Sequence, residues 1–144
     1  MKQMKKYIFF FVAVMVSAVI FSSCDKLECN GALDGQWQLT EWKSPTGELL
    51  ADKQARIFYN FQLQMMTFQI GDKWQSSSFE NTGTSLRVYD PLNYIGGGRE
   101  EILPMTDLAK YGVPEDGIMK IEKLTSGTMI LSSNQRGTLT FRKY

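Results

Sequence analysis

Apolar and polar residues alternate with period two through most of the chain after Ala32, the pattern of half-buried β-strands. In the first such run Leu33, Gly35, Trp37 and Leu39 share one face, and Asp34, Gln36, Gln38 and Thr40 share the other. A glycine two residues before a large indole predicts that a partner element crosses closely where the core begins. Trp42 falls on the otherwise polar face, close to the Ser44-Pro45-Thr46-Gly47 turn. That position makes it the candidate rim residue.

The longest apolar segment, Ala55 to Ile70, alternates with one change of phase. Ile57, Tyr59, Phe61, Leu63 and Met65 share a face, after which the apolar set becomes Met66, Phe68 and Ile70. With no turn residue at the slip, the pattern predicts one continuous strand bent by a β-bulge. Gly71-Asp72 then turns the chain into Lys73–Glu80, and Asn81-Thr82-Gly83 turns it into Ser85–Asp90. Pro91 to Pro104 reads as a long loop containing Gly96-Gly97-Gly98. Thr106–Tyr111 reads as a short helix, with Thr106 as N-cap and Gly112 as its stop. Three short strands follow, pairing Met119 with Ile121, Met129 with Leu131, and Leu139 with Phe141 on their inward faces. The sum is an all-β fold of 7–8 antiparallel strands and one short helix, as an up-and-down barrel or alternatively a β-sandwich.

The start of the chain has a different character. Lys2, Lys5 and Lys6 precede an apolar run from Tyr7 to Ile20, and Ser22-Ser23-Cys24 follows. At about 1.5 Å per residue this run is roughly 21 Å long, short of a hydrocarbon core of about 30 Å. Residues 1–23 are therefore expected to be a secretory signal peptide. Residues 24–32 form the N-terminus and tether, and 33–144 the folded domain. Cys24 either carries lipid or pairs with Cys29, and no base stands near Cys29 in sequence.

Composition removes several function classes. The chain holds 16 basic and 15 acidic residues with no basic run, so no nucleic-acid partner is expected. Histidine is absent, which takes away the commonest general base and the commonest metal ligand. The glycine triplet has no following Lys-Ser/Thr, and Asp116-Gly117 lacks the spaced acids of a calcium loop. Glu100-Glu101 and Glu115-Asp116 are adjacent in sequence and point apart, so neither forms an acid–base pair. No catalytic residue, metal or cofactor is expected.

Two features carry a family resemblance. The small residues before Cys24 resemble the lipobox of bacterial lipoproteins, which implies cleavage before Cys24, acylation of that cysteine and an envelope location. Gly35-Gln36-Trp37 resembles the Gly-x-Trp signature of lipocalins and other calycins. The segments Asp107-Leu108 … Tyr111-Gly112-Val113 and Leu139-Thr140-Phe141-Arg142-Lys143-Tyr144 are similar to those of small lipocalin-like lipoproteins of Bacteroidetes type. The resemblance implies that Gly35 and Trp37 close the barrel's bottom, with Arg142 as the basic residue packed over the indole. An eight-stranded barrel is just wide enough to hold one small apolar ligand, in its interior or in a pocket at its open end lidded by the 91–112 segment. The inward positions expected to line it are Trp37, Leu39, Tyr59, Phe61, Met119, Met129 and Phe141. The alternative is a barrel filled by its own side chains, serving as a scaffold for a protein partner.

Overall fold

Strand pairing closes the sheet on itself. The computed structural model describes residues 30–94, 98 and 100–144. Residues 1–29, with the expected signal peptide, Cys24 and Cys29, and part of the glycine triplet lie outside the described residues. Among the described residues ten strands are formed: β1 (Gly35–Lys43), β2 (Leu49–Asp52), β3 (Ile57–Gln62), β4 (Met65–Ile70), β5 (Lys73–Asn81), β6 (Ser85–Tyr94), β7 (Glu100–Ile102), β8 (Ile118–Leu124), β9 (Thr128–Ser133) and β10 (Gly137–Lys143). Each barrel strand pairs antiparallel with its neighbours in the order β10-β9-β8-β6-β5-β4-β3-β1, and β10 returns to β1. This is an eight-stranded antiparallel barrel with β2 added beside β1 and β7 beside β6.

The phase slip in the long apolar segment has a different cause from the one expected. There is no bulged continuous strand; β3 and β4 are two strands of a tight hairpin, with Phe61 opposite Met66 and Gln62 opposite Met65. Leu63 makes the turn with φ +56°, a left-handed conformation that bulky residues seldom adopt. It is therefore 51% exposed at a hairpin tip rather than inside the barrel.

Bulges occur elsewhere. On β1, Leu39 faces Phe141 and Glu41 faces Thr140, so Thr40 is the extra residue. The bulge inverts the parity beyond it and turns Trp42 to the inner side, opposite Leu139. Trp42 is half-buried against the core, and its Nε1 donates to the Arg136 carbonyl at 2.7 Å. The expectation that it stands on the polar face is thus corrected. On β6, a second bulge at Asp90-Pro91 lets the strand run on to Tyr94 where a loop was expected.

The two ends of the barrel are built differently. At the closed end Leu33 and Trp37 are fully buried, and the chain enters through a 3₁₀ turn, Gly31–Leu33. At the other end a 3₁₀ helix, Met105–Tyr111, lies across the opening and buries Leu108 and Tyr111. Its N-cap is Pro104, with no side-chain cap, rather than Thr106. Gly112 ends it with φ +91°, where a Cβ would come within 2.4 Å of Leu139 Cδ2. Only a residue without a side chain passes that point.

Candidate functional site at the capped end of the barrel

The inward positions expected to line a cavity pack against one another instead. Trp37, Leu39, Tyr59, Phe61, Met119, Met129 and Phe141 are each at most 1% exposed. The Tyr59 ring lies 4.8 Å from Phe68 and 4.5 Å from Phe141, and Phe61 lies 5.2 Å from Phe79. These edge-on and tilted contacts are the favoured aromatic geometries. The set is a hydrophobic core. Of the seven, Phe61 borders a surface cleft, at the closed end beside Gly35 and Lys143.

The closed end follows the expected plan with one substitution of partner. Trp37 Nε1 donates to the Leu33 carbonyl at 2.8 Å. Lys143, rather than Arg142, sits over the indole, with Nζ 4.4 Å from the ring centroid. The same ammonium donates to the backbone carbonyls of Ala32 and Asp34. A Cβ on Gly35, which has φ +104°, would meet Lys143 Cε at 3.2 Å. The close crossing implied by Gly35 is therefore made by the Lys143 side chain. Arg142 has the opposite parity: its guanidinium donates to Gln38 Oε1 at 2.8 and 3.0 Å on the outer side of the barrel.

At the capped end, too, a cleft meets the core. Tyr111 stacks on Phe68 at 5.2 Å, and Tyr59 Oη donates to the Tyr111 carbonyl at 2.7 Å, tying the cap to the barrel interior. Lys110 Nζ lies 5.1 Å from the Tyr111 ring centroid. Burial pushes the phenols of both Tyr59 and Tyr111 above the usual tyrosine value. Beside the cap, the β4–β5 turn, the end of β6 and the 105–111 helix enclose a cleft of about 530 Å³. Trp74, Leu92, Leu103 and Tyr111 supply apolar wall, while polar groups, among them Asp72, Lys73, Asp107 and Lys110 with charges of both signs, make up more of the lining.

The Tyr59–Tyr111 link gives a direct expectation. Tyr59→Phe should cost about 1–3 kcal/mol, because it leaves the buried Tyr111 carbonyl without its donor. The raised phenol also sets the sign of a pH effect. Below about pH 10 both folded and unfolded forms are neutral; above it the unfolded chain ionises first, so stability falls as pH rises. Tyr59→Phe should flatten that alkaline decline. Urea midpoints at about pH 8 and about pH 11 check both statements.

Comparison with known proteins bears on this architecture. A lipocalin-like domain model matches residues 19–144. The chain belongs to the lipocalin-like family. Comparison of this lipocalin-like chain with curated proteins gives no match. Two crystal structures share its fold. A lipocalin-like protein from Bacteroides uniformis is 24% identical, with TM-score 0.57 over 79% of this chain and 100% of that one. An uncharacterized protein from Bacteroides eggerthii is 22% identical, with TM-score 0.56 over 78% of this chain and 99% of that one. The sequence pattern pointed to a lid over the open end in residues 91–112, but nothing in it marked the β4–β5 turn that forms the facing wall of the cleft in this lipocalin-like chain. Gln75 sits in an alternating strand where its inward parity could be counted, but a polar residue there was not a signal of core.

Proposed function

We propose that this lipocalin-like protein is a non-enzymatic binding protein that takes up a small, largely apolar molecule at the capped mouth of its barrel. The observation that carries this reading is the cleft of about 530 Å³ beside the 105–111 cap. That volume falls within the roughly 300–1,000 Å³ of small-molecule sites, as do clefts of about 580 and about 860 Å³ elsewhere, and its place beside the cap is what favours this one. The packed aromatic core supports a mouth site rather than a central one. Lipocalin-like domains are in general binding modules, and this reading needs no catalytic step. Native mass spectrometry of the protein purified from its host tests it. A co-purifying small molecule supports the site, and a clean apo mass from every preparation would count against it.

We propose further that acylated Cys24 anchors the domain in a bacterial cell envelope. Residues 31–33 lie at the closed end, so a domain anchored through Cys24 would hold its capped mouth away from the membrane. Replacing Cys24 with alanine should move the protein from the membrane to the soluble fraction; continued retention would sink the anchor.

A second reading, a protein-binding module, is favoured by β2. Among the described residues this strand pairs with β1 alone, and it exposes Leu49 and Leu50 by 56% and 51%. An open strand edge with apolar side chains suits strand addition by a partner. Leu49→Asp with Leu50→Asp would abolish a complex formed this way and leave small-molecule binding intact.

A further inference from the structure

We infer that the closed end of the barrel seats on the lipid bilayer, with the Leu63 side chain at the β3–β4 hairpin tip inserted at the boundary between headgroups and acyl chains. The inference rests on the Cys24 anchor proposed above and adds to it a second, non-covalent contact and the residue that makes it.

Three turns project at the closed end beside residues 31–33. They are Leu63-Gln64 between β3 and β4, Thr82-Gly83-Thr84 between β5 and β6, and Thr125-Ser126-Gly127 between β8 and β9. None of them carries a charged residue. Asp34 and Lys143, which border one cleft with Leu63 and Ser126, have their charges engaged by the fold. The Asp34 carboxylate accepts from Asn30 N and Nδ2 at 3.1 and 2.7 Å, and the Lys143 ammonium donates to the Ala32 and Asp34 carbonyls. The capped end is the reverse, with Glu48, Asp72, Glu115, Asp116 and Arg136 in its turns. An uncharged end enters the headgroup zone without stripping water from an ion.

Leu63 occupies a position from which the fold gains little. It is the first of two turn residues and has φ +56°, where glycine, asparagine or aspartate sits at lower cost. Its side chain is 51% exposed, so burial in the core does not offset the strain. A strained residue at an uncharged tip points to a use outside the fold. The tether decides what that use is. Asn30, the first described residue, donates through Nδ2 to the Leu63 carbonyl at 2.7 Å. Cys24 lies six residues earlier, a span of at most about 21 Å when fully extended. A bilayer that holds acylated Cys24 is therefore within that distance of Leu63, and a folded partner about 30 Å across does not fit between them. Tyr144 adds an interfacial ring at the same end: its amide donates to the Gln36 carbonyl at 2.9 Å, and the residue is 72% exposed.

The test places the acylated protein, isotope-labelled and purified from its host's membranes, in phosphatidylcholine nanodiscs doped with a nitroxide-bearing phosphatidylcholine. The Leu63 methyl signals should be broadened severalfold more than those of Leu49 and Leu50, which are at least as exposed but stand at the capped end. Leu63→Asn keeps the left-handed turn and removes the apolar side chain. It should hold or raise the urea midpoint and reduce the broadening of the Tyr144 amide severalfold. Leu63→Gly makes the same test should the asparagine variant fail to fold. Leu63 methyls no more broadened than those of Leu49, or an unchanged Tyr144 amide in Leu63→Asn, overturn the contact while the anchor stands. A dimer in native mass spectra that Leu63→Asn abolishes, in place of broadening, assigns the tip to a second copy and overturns the bilayer. If the mass of the purified protein shows no acyl chain on Cys24, the anchor falls and this inference with it.

Discussion

Trp37→Ala is expected to destabilise the protein by about 3–5 kcal/mol, the range for deleting a large buried aromatic. Three separate losses converge on this one side chain. The indole is fully buried, so truncation removes its contact area and leaves a hole next to Leu33. The Leu33 carbonyl loses the donor that now reaches it at 2.8 Å. Lys143 loses the ring beneath its ammonium, a contact of about 0.5–2 kcal/mol. Lys143 also bonds the Ala32 and Asp34 carbonyls, so disorder in the plug should spread into the entering chain. The measurement is the urea midpoint at unchanged m-value, with Trp74→Ala as the control. Trp74 is 59% exposed and should cost far less. A near-neutral Trp37→Ala would mean that the indole is no plug.

The period-two pattern carries most of the barrel because each inward residue needs a partner of the same parity across the ladder. Leu39 opposite Phe141, Tyr59 opposite Phe68 and Leu131 opposite Leu139 are all visible as alternation in the sequence. What the pattern does not carry is the places where the count of residues between strands changes. A bulge at Thr40 costs one residue and no special side chain, so Trp42 reads as outward and stands inward. The Leu63 turn uses a residue with no turn chemistry, held in a left-handed conformation by the pairing on either side. A bulge and a two-residue turn produce the same phase slip, and parity alone does not separate them. The closing cation illustrates the same limit at the level of one residue. Arg142 was the basic residue suggested by the family likeness, but strand parity sends its guanidinium to Gln38 and leaves Lys143 to cross Gly35. The cleft was less legible still. It is assembled from a hairpin turn, a strand end and a helix that are distant in sequence.

Tyr111→Ala is expected to cost about 3–5 kcal/mol as well, and to do so at the opposite end of the molecule. The ring is 1% exposed and stacked 5.2 Å from Phe68, so its removal opens a hole directly above the aromatic core. The backbone around it is fixed independently of the side chain. The Tyr111 carbonyl holds Tyr59 Oη, and Gly112 passes Leu139 with no room for a Cβ. The cap should therefore stay seated and the lost ring should leave a void joined to the existing cleft, because a site that cannot collapse retains its cavity. That combination separates two roles for the tyrosine. If it is only core, Tyr111→Ala lowers the urea midpoint and leaves the affinity for an apolar probe, ethylbenzene, as it was. If its ring is a wall of the binding site, the midpoint falls and ethylbenzene affinity changes with it. A loss below about 1 kcal/mol would mean that the ring is not packed against Phe68, and the capped mouth would lose its physical basis.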